Sequence, residues 1–85
     1  METTIKRMMA DILALDPSSI SDSTSMDNTT SWDSLAHINL MMALEQELGI
    51  ALEIEELERM RSFHEIVEVV KAKGLSAINL DNKPH

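Results

Sequence analysis

Ser31-Trp32-Asp33-Ser34-Leu35-Ala36-His37-Ile38-Asn39-Leu40-Met41-Met42-Ala43-Leu44-Glu45-Gln46-Glu47-Leu48-Gly49-Ile50 is the stretch around which the chain is organised. It reads as one amphipathic helix. Polar residues lead up to Asp33 and Ser34, both good N-terminal caps, and Gly49 is placed as a C-terminal stop. With successive residues about 100° apart, Leu40, Met41, Leu44 and Leu48 share one arc and form the expected core stripe. The opposite arc is not simply polar, because Leu35, Ile38 and Met42 are interleaved there with Asn39, Glu45 and Gln46. A second apolar stripe means that the helix is covered on both sides or shows that stripe to a partner.

Asp33-Ser34-Leu35 at the head of this helix, followed by Met42-Ala43-Leu44-Glu45-Gln46-Glu47-Leu48-Gly49-Ile50, resembles the acyl carrier proteins. The resemblance implies that Ser34 is the attachment point of 4′-phosphopantetheine, taken from coenzyme A by a phosphopantetheinyl transferase. It also implies that partner enzymes recognise the helix that starts at this serine, through acidic and apolar positions. Carried over residue by residue, that gives Asp33, Leu35, Met42 and Glu45, with Ile38 on the same outer stripe. Ala36 and Asn39 stand where acidic residues are common in the fatty-acid type. A specialised carrier for a polyketide, modified-amino-acid or saccharide-acylation pathway is therefore expected as readily as one for fatty acids.

Eighty-five residues allow one small domain with one core. Only 2% of the chain is aromatic, so that core must be aliphatic, and seven methionines suit an adjustable interior. The absence of cysteine excludes disulfides and thiolate metal sites, fits a reducing compartment and leads to a cytoplasmic expectation. No apolar run approaches a membrane span, and no secretory signal is visible at Met1-Glu2-Thr3-Thr4. The net charge of −8 argues against nucleic acid and anionic membranes. It favours acyl-loading and acyl-transferring enzymes with basic patches, reached by electrostatic steering. A monomer is expected.

Outward from the central helix, Ile5, Met8, Met9, Ile12 and Leu13 predict a first helix over 4–15, with Thr3 or Thr4 as cap and Pro17 just past its end. Residues 16–33, rich in Ser, Thr, Asp and Asn, read as a long loop pinned by Ile20 and Met26. Trp32 reads as a partly buried anchor beside Ser34. Its alternative is an exposed contact for the arm or a partner. Ile54, Leu57 and Met60 predict a short third helix with Glu55, Glu56 and Glu58 outside; Glu53 stands near where the carrier family has a proline, so the start is expected to differ. Ser62 and Glu65 form a capping-box pattern before a last helix whose core stripe is Phe63, Ile66, Val67 and Val70 and whose end is Gly74. The fold expected is an all-α, four-helix up-down bundle over residues 1–74. Residues 75–85 are expected to be a mobile tail, with docking of Leu75, Ile78 and Leu80 as the alternative.

Other chemistry is poorly supported. His37, three residues after Ser34, shares its face, but a nucleophilic site also needs an orienting acid, an oxyanion hole and a pocket. A satisfied, partly buried histidine is the plainer reading. His37, His64 and His85 lie on different elements, and Glu55, Glu56 and Glu58 form a solvated face, so neither set predicts a metal site. Met41 and Met60 are candidates to line a space for an acyl chain. The expected protein is a carrier, not an enzyme. The competing readings are an aminoacyl or peptidyl carrier and an unmodified acidic adaptor.

Overall fold

The computed structural model describes residues 2–82, with side chains through Gly74. It contains α1 (Glu2–Leu13), a 3-10 turn (Pro17–Ser19), α2 (Ser34–Leu48), α3 (Ile54–Arg59) and α4 (Phe63–Asn82). The four-helix arrangement with a long first connection and a short third helix is the one expected. Among the described residues no helix is long and apolar enough to cross a membrane.

Each helix boundary has a local cause. α1 starts at Glu2, so Thr3 and Thr4 lie within its first turn and do not cap it. It ends two residues early because Ala14 adopts a left-handed conformation, φ 57°, and the Leu15 N–H turns back to the Ala10 carbonyl at 3.0 Å. α2 closes in the same way, with Gly49 at φ 65° and the Ile50 N–H on the Glu45 carbonyl at 3.2 Å. α3 starts where the Glu56 carboxylate accepts the Glu53 N–H at 2.8 Å, a glutamate-based start in place of a proline. At α4 the Ser62 hydroxyl accepts the Glu65 N–H at 3.1 Å and donates to the Glu65 carboxylate at 3.2 Å.

The expected end of α4 at Gly74 is wrong, because the helix runs on to Asn82. A glycine inside a helix costs only about 1 kcal/mol relative to alanine, and no proline follows until Pro84. The expected mobile tail falls partly on residues 83–85, outside the described residues. The proposed docking of Leu75, Ile78 and Leu80 also concerns side chains outside them.

The core is aliphatic with two aromatic plugs. Ile5, Met9 and Leu13 of α1 meet Leu40, Met41 and Leu44 of α2 and Phe63, Ile66 and Val70 of α4. Ile20 and Trp32 close it from the first connection. Met26 is half-buried against it. An isolated antiparallel bridge pairs Ser25 with Ser62, through Met26 N–H to the Arg61 carbonyl at 3.0 Å and Phe63 N–H to the Thr24 carbonyl at 2.9 Å. α3 departs from expectation at Ile54, which is 71% exposed. As the first residue of that helix it leans back past the helix end, away from the bundle. Glu56 turns inward instead and pairs with Lys73 of α4 at 2.9 Å.

Candidate functional site

The site is built at the start of α2. Asp33 has extended backbone and its carboxylate accepts the Ala36 N–H at 2.9 Å, so Asp33 is the cap and Ser34 the first helical residue. The Asp33 carbonyl takes the first intrahelical bond, from His37 N–H at 2.8 Å. Ser34 is exposed, and Trp32, two residues before it, is buried.

Trp32 is fully buried, at 1% exposure, which settles for the anchor and against an exposed contact. Its indole N–H donates to His37 Nδ1 at 3.1 Å, and the two rings lie 6.0 Å apart at a 40° tilt. His37 Nε2 bonds the Leu57 carbonyl of α3 at 2.9 Å. His37 is thus half-buried with both nitrogens used, as the plainer reading of the sequence had it.

Beside Ser34 a cleft of about 200 Å³ opens between α2 and α3, lined by Met26, Ser34, His37, Ile38, Leu57, Glu58 and Arg61. Met41 and Met60, the candidates to line a space for an acyl chain, are buried in the core, whereas Met26 lines the open cleft. A larger cleft of about 600 Å³ lies between the end of α1 and the first connection. Its lining has no ionisable group, and several of its hydroxyls are spent on holding the loop, as when Thr24 Oγ1 accepts the Ser21 N–H at 2.9 Å. It offers no nucleophile with a base.

The outer face of α2 is laid open as its pattern predicts: Leu35 is 69% exposed, Ile38 54% and Met42 53%. Asp33 and Glu47 flank them in solvent. Glu45 differs. It is half-buried and its Oε2 accepts the Leu52 N–H at 3.0 Å, which holds the link to α3. The sequence signal for this role is a short link just after Gly49, whose turned backbone leaves N–H groups needing an acceptor. Glu56 was likewise read only as a solvated face. Its carboxyl is held below the ordinary glutamate range by the Glu53 N–H first and by Lys73 second.

The comparisons with known proteins point to one family. Residues 3–70 match a family model described as a phosphopantetheine attachment site. The acyl carrier protein of Thermosynechococcus vestitus is 30% identical over 69 residues, covering 81% of this chain and 85% of its own. That of Clostridium acetobutylicum is 35% identical over 68 residues, covering 80% and 88%. In fold, the chain is similar to the solution structure of a holo acyl carrier protein from Geobacter metallireducens, with a TM-score of 0.79 and 24% identity over 99% of this chain and 94% of that one. Members of this family bear a covalent phosphopantetheine and are carriers, not catalysts. The chain, with its capped serine at the head of an exposed helix, belongs to the acyl carrier proteins.

Proposed function

We propose that Ser34 carries the 4′-phosphopantetheine arm and that the protein holds acyl groups as thioesters on it for partner enzymes. The observation that carries this reading is Ser34 itself, exposed at the first position of α2 behind a cap supplied by its neighbour. The surroundings fit the group. The first N–H groups of a helix have no intrahelical partner and sit at the positive end of its dipole, where a phosphodiester is favoured. Asp33 opposes this by like charge, but its carboxylate is committed to the Ala36 N–H. In the transfer, Ser34 Oγ bonds to phosphorus, the pyrophosphate P–O bond of coenzyme A breaks, and adenosine 3′,5′-bisphosphate leaves. The hydroxyl proton passes to a base of the transferase.

Asp33, Leu35, Ile38 and Met42 form the partner-facing surface on this reading, an apolar strip beside acids. Glu45 adds negative potential at its rim while it holds Leu52. Partners with a basic rim around an apolar depression complement it. The arm works by tethering, which presents each cargo at high effective concentration. Ala36 and Asn39 in place of acids make a specialised pathway as ready a reading as primary fatty-acid synthesis. A cytoplasmic monomer suits this role.

The test is intact-protein mass before and after incubation with coenzyme A and a broad-specificity transferase, with Ser34→Ala alongside. A gain of one phosphopantetheinyl group that the variant lacks is the expected result. No gain in a folded wild type would overturn the reading in favour of an unmodified adaptor.

A further inference from the structure

We propose that His37 is the positioning residue of the attachment site, one imidazole that sets the backbone ahead of Ser34 against α2 and α3. This rests on the Ser34 reading above. The two ring nitrogens are used in opposite senses. An indole N–H can only donate and a carbonyl can only accept. Nδ1 therefore accepts from Trp32 at 3.1 Å, while Nε2–H donates to Leu57 at 2.9 Å. Only the neutral Nε2–H tautomer satisfies both.

Both partners need what His37 supplies. The indole is buried two residues ahead of Ser34, and the Trp32 backbone N–H is fixed on the Thr29 carbonyl at 3.0 Å. The Leu57 carbonyl lies in the last turn of a six-residue helix, where helical geometry leaves carbonyls without partners. The Arg61 N–H turns to the Arg59 carbonyl at 2.9 Å instead of reaching it. One ring thus satisfies a buried donor and an orphan acceptor. The Leu57 bond also spans the two walls of the cleft beside Ser34.

Removal of the Nδ1 acceptor leaves the buried indole N–H without a partner, so the segment entering Ser34 loosens. The charged groups facing this cleft are Glu58 of α3 and Arg61 of the link to α4. Asp33 stands at the helix start, and Asp27 of the first connection lies 3.9 Å from Arg61. The ring makes its hydrogen bonds to Trp32 and Leu57, not to these groups.

Wild type, His37→Asn and His37→Ala separate the possibilities. Asparagine keeps an amide oxygen near the place of Nδ1, and alanine does not. Ring 15N spectra of the wild type are expected to show an unprotonated Nδ1 and a protonated Nε2. At a single pH, hydrogen exchange of the Trp32 indole N–H should be slow in wild type, comparably slow in H37N and faster in H37A. In transfer assays read by mass, H37A is expected to lose about tenfold in kcat/KM, with H37N within about threefold of wild type. An Nδ1–H tautomer, an indole N–H that exchanges equally fast in wild type and H37A, or H37A modified at the wild-type rate would overturn the proposal. Should H37A fail to fold, the wild-type tautomer and the indole exchange of H37N decide it. A wild type that accepts no arm overturns the Ser34 reading itself, whereas equal rates in all three proteins overturn only the role of His37.

Discussion

The two faces of α2 carry the same kinds of side chain and meet opposite surroundings. Leu40, Met41 and Leu44 are enclosed by α1 and α4, whereas Leu35, Ile38 and Met42 stand in solvent a few ångströms of helix away. An apolar side chain enclosed in the core contributes to folding. The same side chain left in water contributes nothing to folding and is available for binding. α2 is therefore both the centre of the core and the surface shown to partners, and its two stripes should respond to mutation in different assays.

The largest effect expected is on the inner face. Leu44→Ala should cost about 2–5 kcal/mol, read as a fall in the midpoint of chemical unfolding. For a domain this small that is a large share of total stability. The outer face should invert the result. Leu35→Ala with Met42→Ala should leave the unfolding midpoint within about 0.5 kcal/mol of wild type. Affinity for a loading or transferring enzyme, measured by titration calorimetry, should fall about tenfold, or about 1.4 kcal/mol. A fall in stability of the size seen for Leu44 would break the comparison.

Glu45 lies on the border between the faces and sharpens it. Glu45→Ala removes the acceptor of the Leu52 N–H and should cost about 1 kcal/mol of stability, a loss that none of the outer apolar positions shows. The smallest effect is a pH dependence away from α2. The Glu56 carboxyl has a lower pKa folded than unfolded, so its contribution is complete above the ordinary value of 4.5 and is lost as pH falls through the depressed folded value. Thermal melts between neutral pH and about pH 3 should fall less steeply for Glu56→Gln than for wild type.

Both faces of α2 were legible from spacing alone, since a helix of fixed pitch puts its residues where the count places them. The helix ends were less so. Gly49 takes the left-handed conformation that its type favours, and the sequence marks it. Ala14 takes the same conformation without being glycine, at a cost of about 1–2 kcal/mol that the packing of Leu13 and Leu15 on either side of it and the Leu15–Ala10 hydrogen bond offset. Gly74 has the right type and no stop. The signal is a propensity, and tertiary contacts decide whether it is used. At the site, Ser34 and its cap were readable because they are adjacent in sequence. The tie from Trp32 through His37 to Leu57 was not, since its last step crosses from one helix to another, and neither was the inward turn of Glu56 toward Lys73.

The bridge between Ser25 and Ser62 bears on how the chain reaches this state. It joins segments roughly forty residues apart, whereas each helix can form from local contacts. Helices should condense first, and the strand-like pairing that brings Met26 and Arg61 together at the cleft should come last. On the Ser34 reading, a newly made chain then offers its serine in finished surroundings only after its slowest contact has closed. The walls that Met26 and Arg61 give the cleft beside Ser34 depend on that pairing.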